Sequence, residues 1–212
     1  MTKLILFLVF CLSSFNSISA KEASLLVKDY EEISFDDIPK TKYSNVDGQL
    51  LSIVKKSSSI LLQPFSKKQT VKTVKVVWKK TGDLKTKSFD HETTKSGDDA
   101  YFRVGLIVSG EAPTIPFFAP AWIKKSKEIL KLPSDKMIYL TVGSKAAAGK
   151  TWPSPYSGSI ESMAPQKSVS TGEWTTSEFT LSKATEIVGL WIFADGDNTE
   201  SSFNVSVKSI EI

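Results

Sequence analysis

From residue 49 to the C-terminus the chain alternates apolar and polar positions with a period of two, interrupted by clusters of Ser, Gly, Pro and Asp. This is the pattern of short β-strands rather than of amphipathic helices. It predicts strands over 49–54, 60–63, 70–78, 100–108, 137–142, 157–163, 174–180, 186–194 and 202–212. In the β-branched run that begins at Thr70, Val74, Val76 and Trp78 share one face. Near the C-terminus Phe203, Val205 and Val207 do the same, with Asn204, Ser206 and Lys208 opposite. One interval departs from the pattern: Pro120 and Pro133 bracket a stretch of good helix formers, which predicts a short helix from about 120 that stops before 133. The expected fold is all-β, an antiparallel β-sandwich with one short helical excursion.

The N-terminus reads differently. Residues 1–20 run from Met-Thr-Lys through an apolar stretch, Leu4 to Leu12, to a Ser/Asn-rich end at Ala20, the order of a cleavable signal peptide. Phe10 stands before Cys11 where a lipobox needs a small residue, which disfavours lipidation. The expected organisation is a signal peptide over 1–20, an N-terminal lead-in over 21–33 and one β-sandwich domain over 34–212. The mature chain is then expected to be periplasmic or secreted, without a transmembrane span, since no apolar run of spanning length follows the signal. Cleavage also removes the only cysteine, so stability must come from burial rather than disulfides.

Composition narrows the chemistry. With 41% apolar and 24% charged residues, the 212-residue chain has the profile of an ordinary globular domain. Of its 27 basic residues only Arg103 is arginine, which argues against nucleic acid as a partner, because lysine cannot make the bidentate contacts that phosphates and guanine favour. One histidine and one cysteine exclude zinc-ribbon and Cys–His chemistry. The segment from Gly143 to Thr151 superficially resembles a phosphate-binding loop. Five residues separate its glycines where four are needed, so it is read as a plain loop and no nucleotide is expected. His91 lies in a polar segment with no nucleophile elbow anywhere in the chain, and is expected to be a solvated loop residue.

Two acidic clusters sit at predicted strand ends. Asp98 and Asp99 lead into the 100–108 strand, and Asp195-Gly-Asp197-Asn198-Thr199 follows the 186–194 strand. Strand parity places Asp99, Tyr101 and Arg103 on one face, with Phe102, Val104, Leu106 and Val108 on the other as core. If the two clusters meet, they offer a hard-oxygen set able to hold Ca²⁺, with Asp195 and Asp197 as the metal ligands, or a carboxylate pair for acid/base work. An EF-hand is excluded, because the sixth and twelfth places counted from Asp195 hold Glu200 and Ser206. The competing reading is a β-turn and a charge-neutralising Asp99/Arg103 pair, since Asp-Gly-Asp-Asn is favourable turn sequence. Trp152 and Tyr156 stand on a proline-stiffened loop, where their rings could stack on a sugar. Trp191, which alternates with Gly189 and Phe193, reads as wall or core.

Lys95-Ser-Gly-Asp98-Asp99 followed by Arg103-Val104, then Tyr139 and Val142-Gly-Ser144, then Trp152-Pro-x-Pro155-Tyr156, and last Asp195-x-Asp197-Asn198-Thr199 resemble, in that order, an exported bacterial family known as a domain of unknown function. The similarity spans about 34–212. It implies a jelly-roll sandwich similar to galactose-binding-like and carbohydrate-binding modules in the Gram-negative envelope, and no established reaction. This chain departs from the family pattern in the strand from Val74 to Lys80, where tryptophan and arginine usually alternate but only Trp78 is kept and lysine replaces arginine, and at Gly196, where threonine is usual. The expected function is non-catalytic recognition of an envelope or extracellular glycan. Asp98, Asp99, Tyr101, Arg103, Trp152, Tyr156 and Asn198 are the expected ligand-binding residues, with Asp195 and Asp197 able to hold Ca²⁺. The alternatives are a glycan-cleaving hydrolase or lyase using paired aspartates or Tyr101 with Arg103, and a structural envelope protein acting through protein contacts.

Overall fold

A computed structural model describes residues 21–114 and 117–212; the expected signal segment and Cys11 lie outside the described residues. Among the described residues eleven strands form in chain order: β1 (Glu31–Ser34), β2 (Lys42–Val46), β3 (Gln49–Lys55), β4 (Ser59–Asp83), β5 (Ala100–Ser109), β6 (Ser134–Val142), β7 (Thr151–Ser154), β8 (Ser157–Met163), β9 (Lys167–Thr171), β10 (Trp174–Asp195) and β11 (Ser202–Glu211). Two short helices interrupt them, α1 (Phe89–Glu92) between β4 and β5 and α2 (Ala121–Ile129) between β5 and β6. No described helix is long and apolar enough to cross a membrane.

The sandwich arises because two strands are long enough to serve both layers. Hydrogen bonding runs β2-β3-β11-β4-β10-β5-β6-β8-β7, with β1 added to β4 and β9 to β10. The second half of β4 pairs with β11 and with the first half of β10, whereas the first half of β4 pairs with β1 and with the second half of β10. Register breaks between Thr180 and Thr185 and between Ile187 and Gly189 of β10 mark where the sheet turns from one layer into the other. Such breaks bend a strand by leaving extra residues unpaired. The sequence predicts 60–63 and 70–78 as separate strands, and likewise 174–180 and 186–194. The structure joins each pair into one bent strand, with residues 65–68 of β4 and 181–184 of β10 left out of the β4–β10 pairing at the bends. One pairing is parallel, β6 with β8, so the sheet is mixed rather than wholly antiparallel.

Alternation now explains the core. Val74, Val76, Phe179 and Val205 from one layer meet Leu61, Val104, Leu106, Leu190 and Ile192 from the other. The residues between them in sequence point outward from the second layer, yet many are also apolar: Ile60, Leu62, Ile107, Trp191 and Phe193 form a second buried cluster. Strands covered on both faces are apolar at successive positions rather than at every other one. The cover is the predicted helix, α2, whose Trp122 and Ile129 pack onto this outer cluster. The 21–34 stretch joins the sheet as well, through the Glu22–Glu211 bridge and through β1.

Candidate functional site

The outer cluster is incompletely covered. Beyond α2, the outer face of the second layer opens into a cavity of about 200 Å³. One side is aromatic. Trp191 and Phe193 of β10 project outward beside Tyr139 of β6, and Trp122 of α2 meets Trp191 edge to face with ring centroids 5.8 Å apart. The strand between them makes room for the indole: Gly105 of β5 pairs with both Trp191 and Tyr139. A Cβ on Gly105 would lie 2.9 Å from the Trp191 Cβ, closer than real Cβ atoms approach, and 3.0 Å from the Met137 sulfur.

The other side is ionic. Arg103 projects from β5 under the aromatic wall, only 2% exposed. Its Nη2 donates to Asp98 Oδ1 at 2.6 Å, and its Nη1 lies 3.5 Å from Asp195 Oδ2. The guanidinium carbon stands 5.2 Å from the Phe193 ring centroid and 5.7 Å from that of Tyr139, within cation–π range. Burial alone would lower the Arg103 pKa, but Asp98 and Asp195 overcome it and hold the group above its ordinary value. The carboxyls respond in the opposite way: burial raises Asp98 and Asp99, and it raises Asp195 well above the usual carboxylate range, reinforced by Asp197 and Asp99.

Asp99 joins the two acidic bends. Its carboxylate accepts from the backbone N–H of Asn198 at 3.2 Å and of Thr199 at 2.6 Å, and from the Thr199 hydroxyl. These bonds cap the turn after β10, which is closed from its own side by Ser201 N–H donating to the Gly196 carbonyl at 2.8 Å. The turn reading and the site reading of Asp195–Thr199 are therefore compatible, because the turn is what delivers Asp197 and Asn198 to the cavity rim. One carboxylate oxygen from each of Asp99, Asp195 and Asp197 lies within 4.8 Å of the others, a set able to hold a cation.

The structure brings Asp98, Arg103, Asp195, Asp197, Asn198 and Tyr156 to the cavity, with Asp99 directly behind it. Tyr156 is 53% exposed at the rim, and its hydroxyl donates to the Lys95 carbonyl at 3.1 Å. Two expected ligand residues lie elsewhere. Between Phe193 and Asp195 of β10, β5 carries an extra residue, so its side-chain parity breaks before Arg103. Tyr101 consequently turns into the core between layers, 5.1 Å from the Phe203 ring, where its oxygen accepts from Lys80 Nζ and from the Leu84 N–H. Trp152 is not on a loop: Thr151–Ser154 is edge strand β7, where Pro153 is tolerated, and the indole is 5% exposed and packed edge to face on Phe89 at 5.3 Å.

The remaining sequence motifs have structural duties. Buried Glu92 at the end of α1 accepts from the Ser144 hydroxyl and from Lys145 N–H at 2.7 Å, pinning the loop that superficially resembles a phosphate-binding loop. His91 lies in α1 rather than in a loop, and its Nδ1 accepts from Lys87 N–H at 3.2 Å. Sequence reading missed the cavity roles of Tyr139, Trp122, Phe35, Ser58 and Ser154. For Tyr139 a signal was present, as an aromatic in the strand paired to the one bearing the sole arginine. For Phe35 and Trp122 there was none, because their arrival depends on how α2 and the segment after β1 fold over the sheet.

The family described as "Protein of unknown function (DUF3047)" matches residues 28–211. No curated protein matches the chain.

Proposed function

The chain belongs to the DUF3047 family, whose description carries no activity, and from its site we propose that it is an exported, non-catalytic binding protein that takes one terminal residue of a glycan into the cavity. The observation that carries this reading is a set of unspent polar atoms. Arg103 Nε, Trp191 Nε1 and Asp195 Oδ1 are buried without a hydrogen-bond partner, and all three side chains line the cavity. Each such group costs about 1–3 kcal/mol when left unmade. A ligand that supplies both donors and acceptors from one compact body recovers that cost, and a sugar residue does so through its hydroxyls. Its apolar ring face suits the aromatic wall of Trp191, Phe193 and Tyr156. At about 200 Å³ the cavity lies below the roughly 300–1,000 Å³ of drug-sized sites, which favours a chain end over a long oligosaccharide.

Screening the mature chain against immobilised glycans tests the proposal, with Tyr156→Ala alongside. Expected is binding confined to glycans sharing one terminal residue, weakened about tenfold or more by the variant, the loss of roughly one stacking contact. Absence of binding to every glycan, or binding indifferent to Tyr156→Ala, argues against it.

One observation favours a second reading. Burial, reinforced by Asp197, raises the pKa of the Asp195 carboxyl well above its ordinary value beside the more exposed Asp197, an arrangement suited to an acid and a base. Release of new reducing ends from a bound glycan, abolished by Asp195→Asn, would favour cleavage over recognition.

A further inference from the structure

Four aspartates, Asp98, Asp99, Asp195 and Asp197, converge at this end of the sheet, and among the described residues the only basic side chain paired with any of them is Arg103. Its guanidinium is committed to Asp98 at 2.6 Å and reaches Asp195 at 3.5 Å. Asp99 is served by the backbone and hydroxyl of the 198–199 turn. The remaining carboxylates are poorly served. Asp195 Oδ1 is buried with no partner at all, in a residue only 6% exposed. Asp197 has only a 3.4 Å contact from the Asn198 amide. One guanidinium does not balance four carboxylates, and buried negative charge left unbalanced is expensive, so this arrangement calls for further positive charge.

The donor set identifies the charge. All donors are carboxylate oxygens, with no His or Cys, which selects a hard cation over zinc or copper. The three ligand oxygens of Asp99, Asp195 and Asp197 lie within 4.8 Å of one another, so one ion can meet all three; an irregular carboxylate set drawn from two separate segments suits the adaptable shell of Ca²⁺ better than Mg²⁺, which demands near-ideal octahedral geometry at about 2.0–2.1 Å. We propose that Asp99, Asp195 and Asp197 form a Ca²⁺ site in which the unpartnered Asp195 oxygen is a ligand. The site joins the start of β5 to the end of β10, so an ion there bridges segments almost a hundred residues apart. Three protein carboxylates leave coordination positions free on the cavity side. That sugar hydroxyls occupy those positions rests on the glycan reading above; the cation site does not.

Calorimetric titration of the chelator-treated mature chain with Ca²⁺, together with thermal unfolding, tests the site without any glycan. Expected is one ion per chain and a Tm raised by about 5–10 °C once Ca²⁺ exceeds Kd by about 100-fold, with Mg²⁺ much weaker. Asp197→Asn, at a partly exposed position outside the Arg103 pairs, should fold as well as the parent and lose both responses. No binding heat and no change in Tm up to about 10 mM Ca²⁺, tenfold above the Kd of weak extracellular sites, overturns the proposal. So does a Ca²⁺ response that Asp197→Asn and Asp99→Asn leave unchanged. Ca²⁺ binding without any glycan binding sustains the ion site and sinks the glycan reading, and glycan binding without any Ca²⁺ response does the reverse.

Discussion

Asp99 accepts two hydrogen bonds from Thr199, one hundred positions later in the chain, the backbone N–H at 2.6 Å and the side-chain hydroxyl. This clasp fixes the acidic turn after β10 against the entrance to β5, and the cavity depends on both. Asp99→Ala removes the acceptor and leaves two backbone N–H groups of the turn to find other partners. The expected cost is about 2 kcal/mol, a fall in Tm of about 4–8 °C by calorimetry. An unchanged Tm would show that the turn holds its shape without Asp99.

The strand alternation carried much of this arrangement and failed at identifiable points. It placed Asp98/Asp99 and Asp195/Asp197 at strand ends, and those ends are neighbours because β5 and β10 pair along their length. It set Phe102 and Val104 into the core and Arg103 opposite, as found. It misplaced Tyr101 because a one-residue bulge reverses parity, and a bulge leaves no mark in the apolar pattern unless a glycine reports it. Trp152 misled for another reason: prolines signal a loop, but an edge strand accepts them equally, and what decides burial is Phe89 on the distant helix α1.

Arg103 is hydrogen-bonded to Asp98 and ion-paired with Asp195, carboxylates that have little else. Arg103→Met strands Asp98 and Asp195 in the interior, and a loss of about 3–5 kcal/mol is expected in denaturant unfolding. Arg103→Lys should restore only a minor part of it, because a single ammonium cannot fork across Asp98 and Asp195 from the same stem. Full stability in the lysine variant would contradict the geometry.

Trp152 and Tyr156, four residues apart, should separate stability from binding. Trp152→Ala opens a hole against Phe89 and should cost about 3–5 kcal/mol while the folded fraction keeps its ligand affinity. Tyr156→Ala removes a half-exposed ring and should leave Tm within about 2 °C of the parent while ligand affinity falls. The reverse assignment of effects would place the ligand on the Trp152 side.

Burial, the first cause in each case, raises the phenol pKa of Tyr30, Tyr43 and Tyr139 beyond its ordinary value. The folded chain therefore holds protons that the unfolded chain releases from about pH 10. This contribution to stability is complete below that pH and is lost as the pH rises further. Tm should be level up to about pH 9 and decline above pH 10, with the phenolate absorbance of these residues appearing together with unfolding. Ionisation of every tyrosine while the near-ultraviolet dichroism of the native state persists would contradict their burial.

The most direct measurement is a crystal structure of residues 21–212 with the glycan that binds best in the screen. The account predicts one terminal sugar residue inside the cavity, its ring against Trp191 and its hydroxyls bonded to Arg103 Nε, Trp191 Nε1 and Asp195 Oδ1, the last directly or through a bound Ca²⁺, with Asp197 and Asn198 at the rim. A sugar bound elsewhere on the surface, with those three atoms still unpartnered, would contradict it.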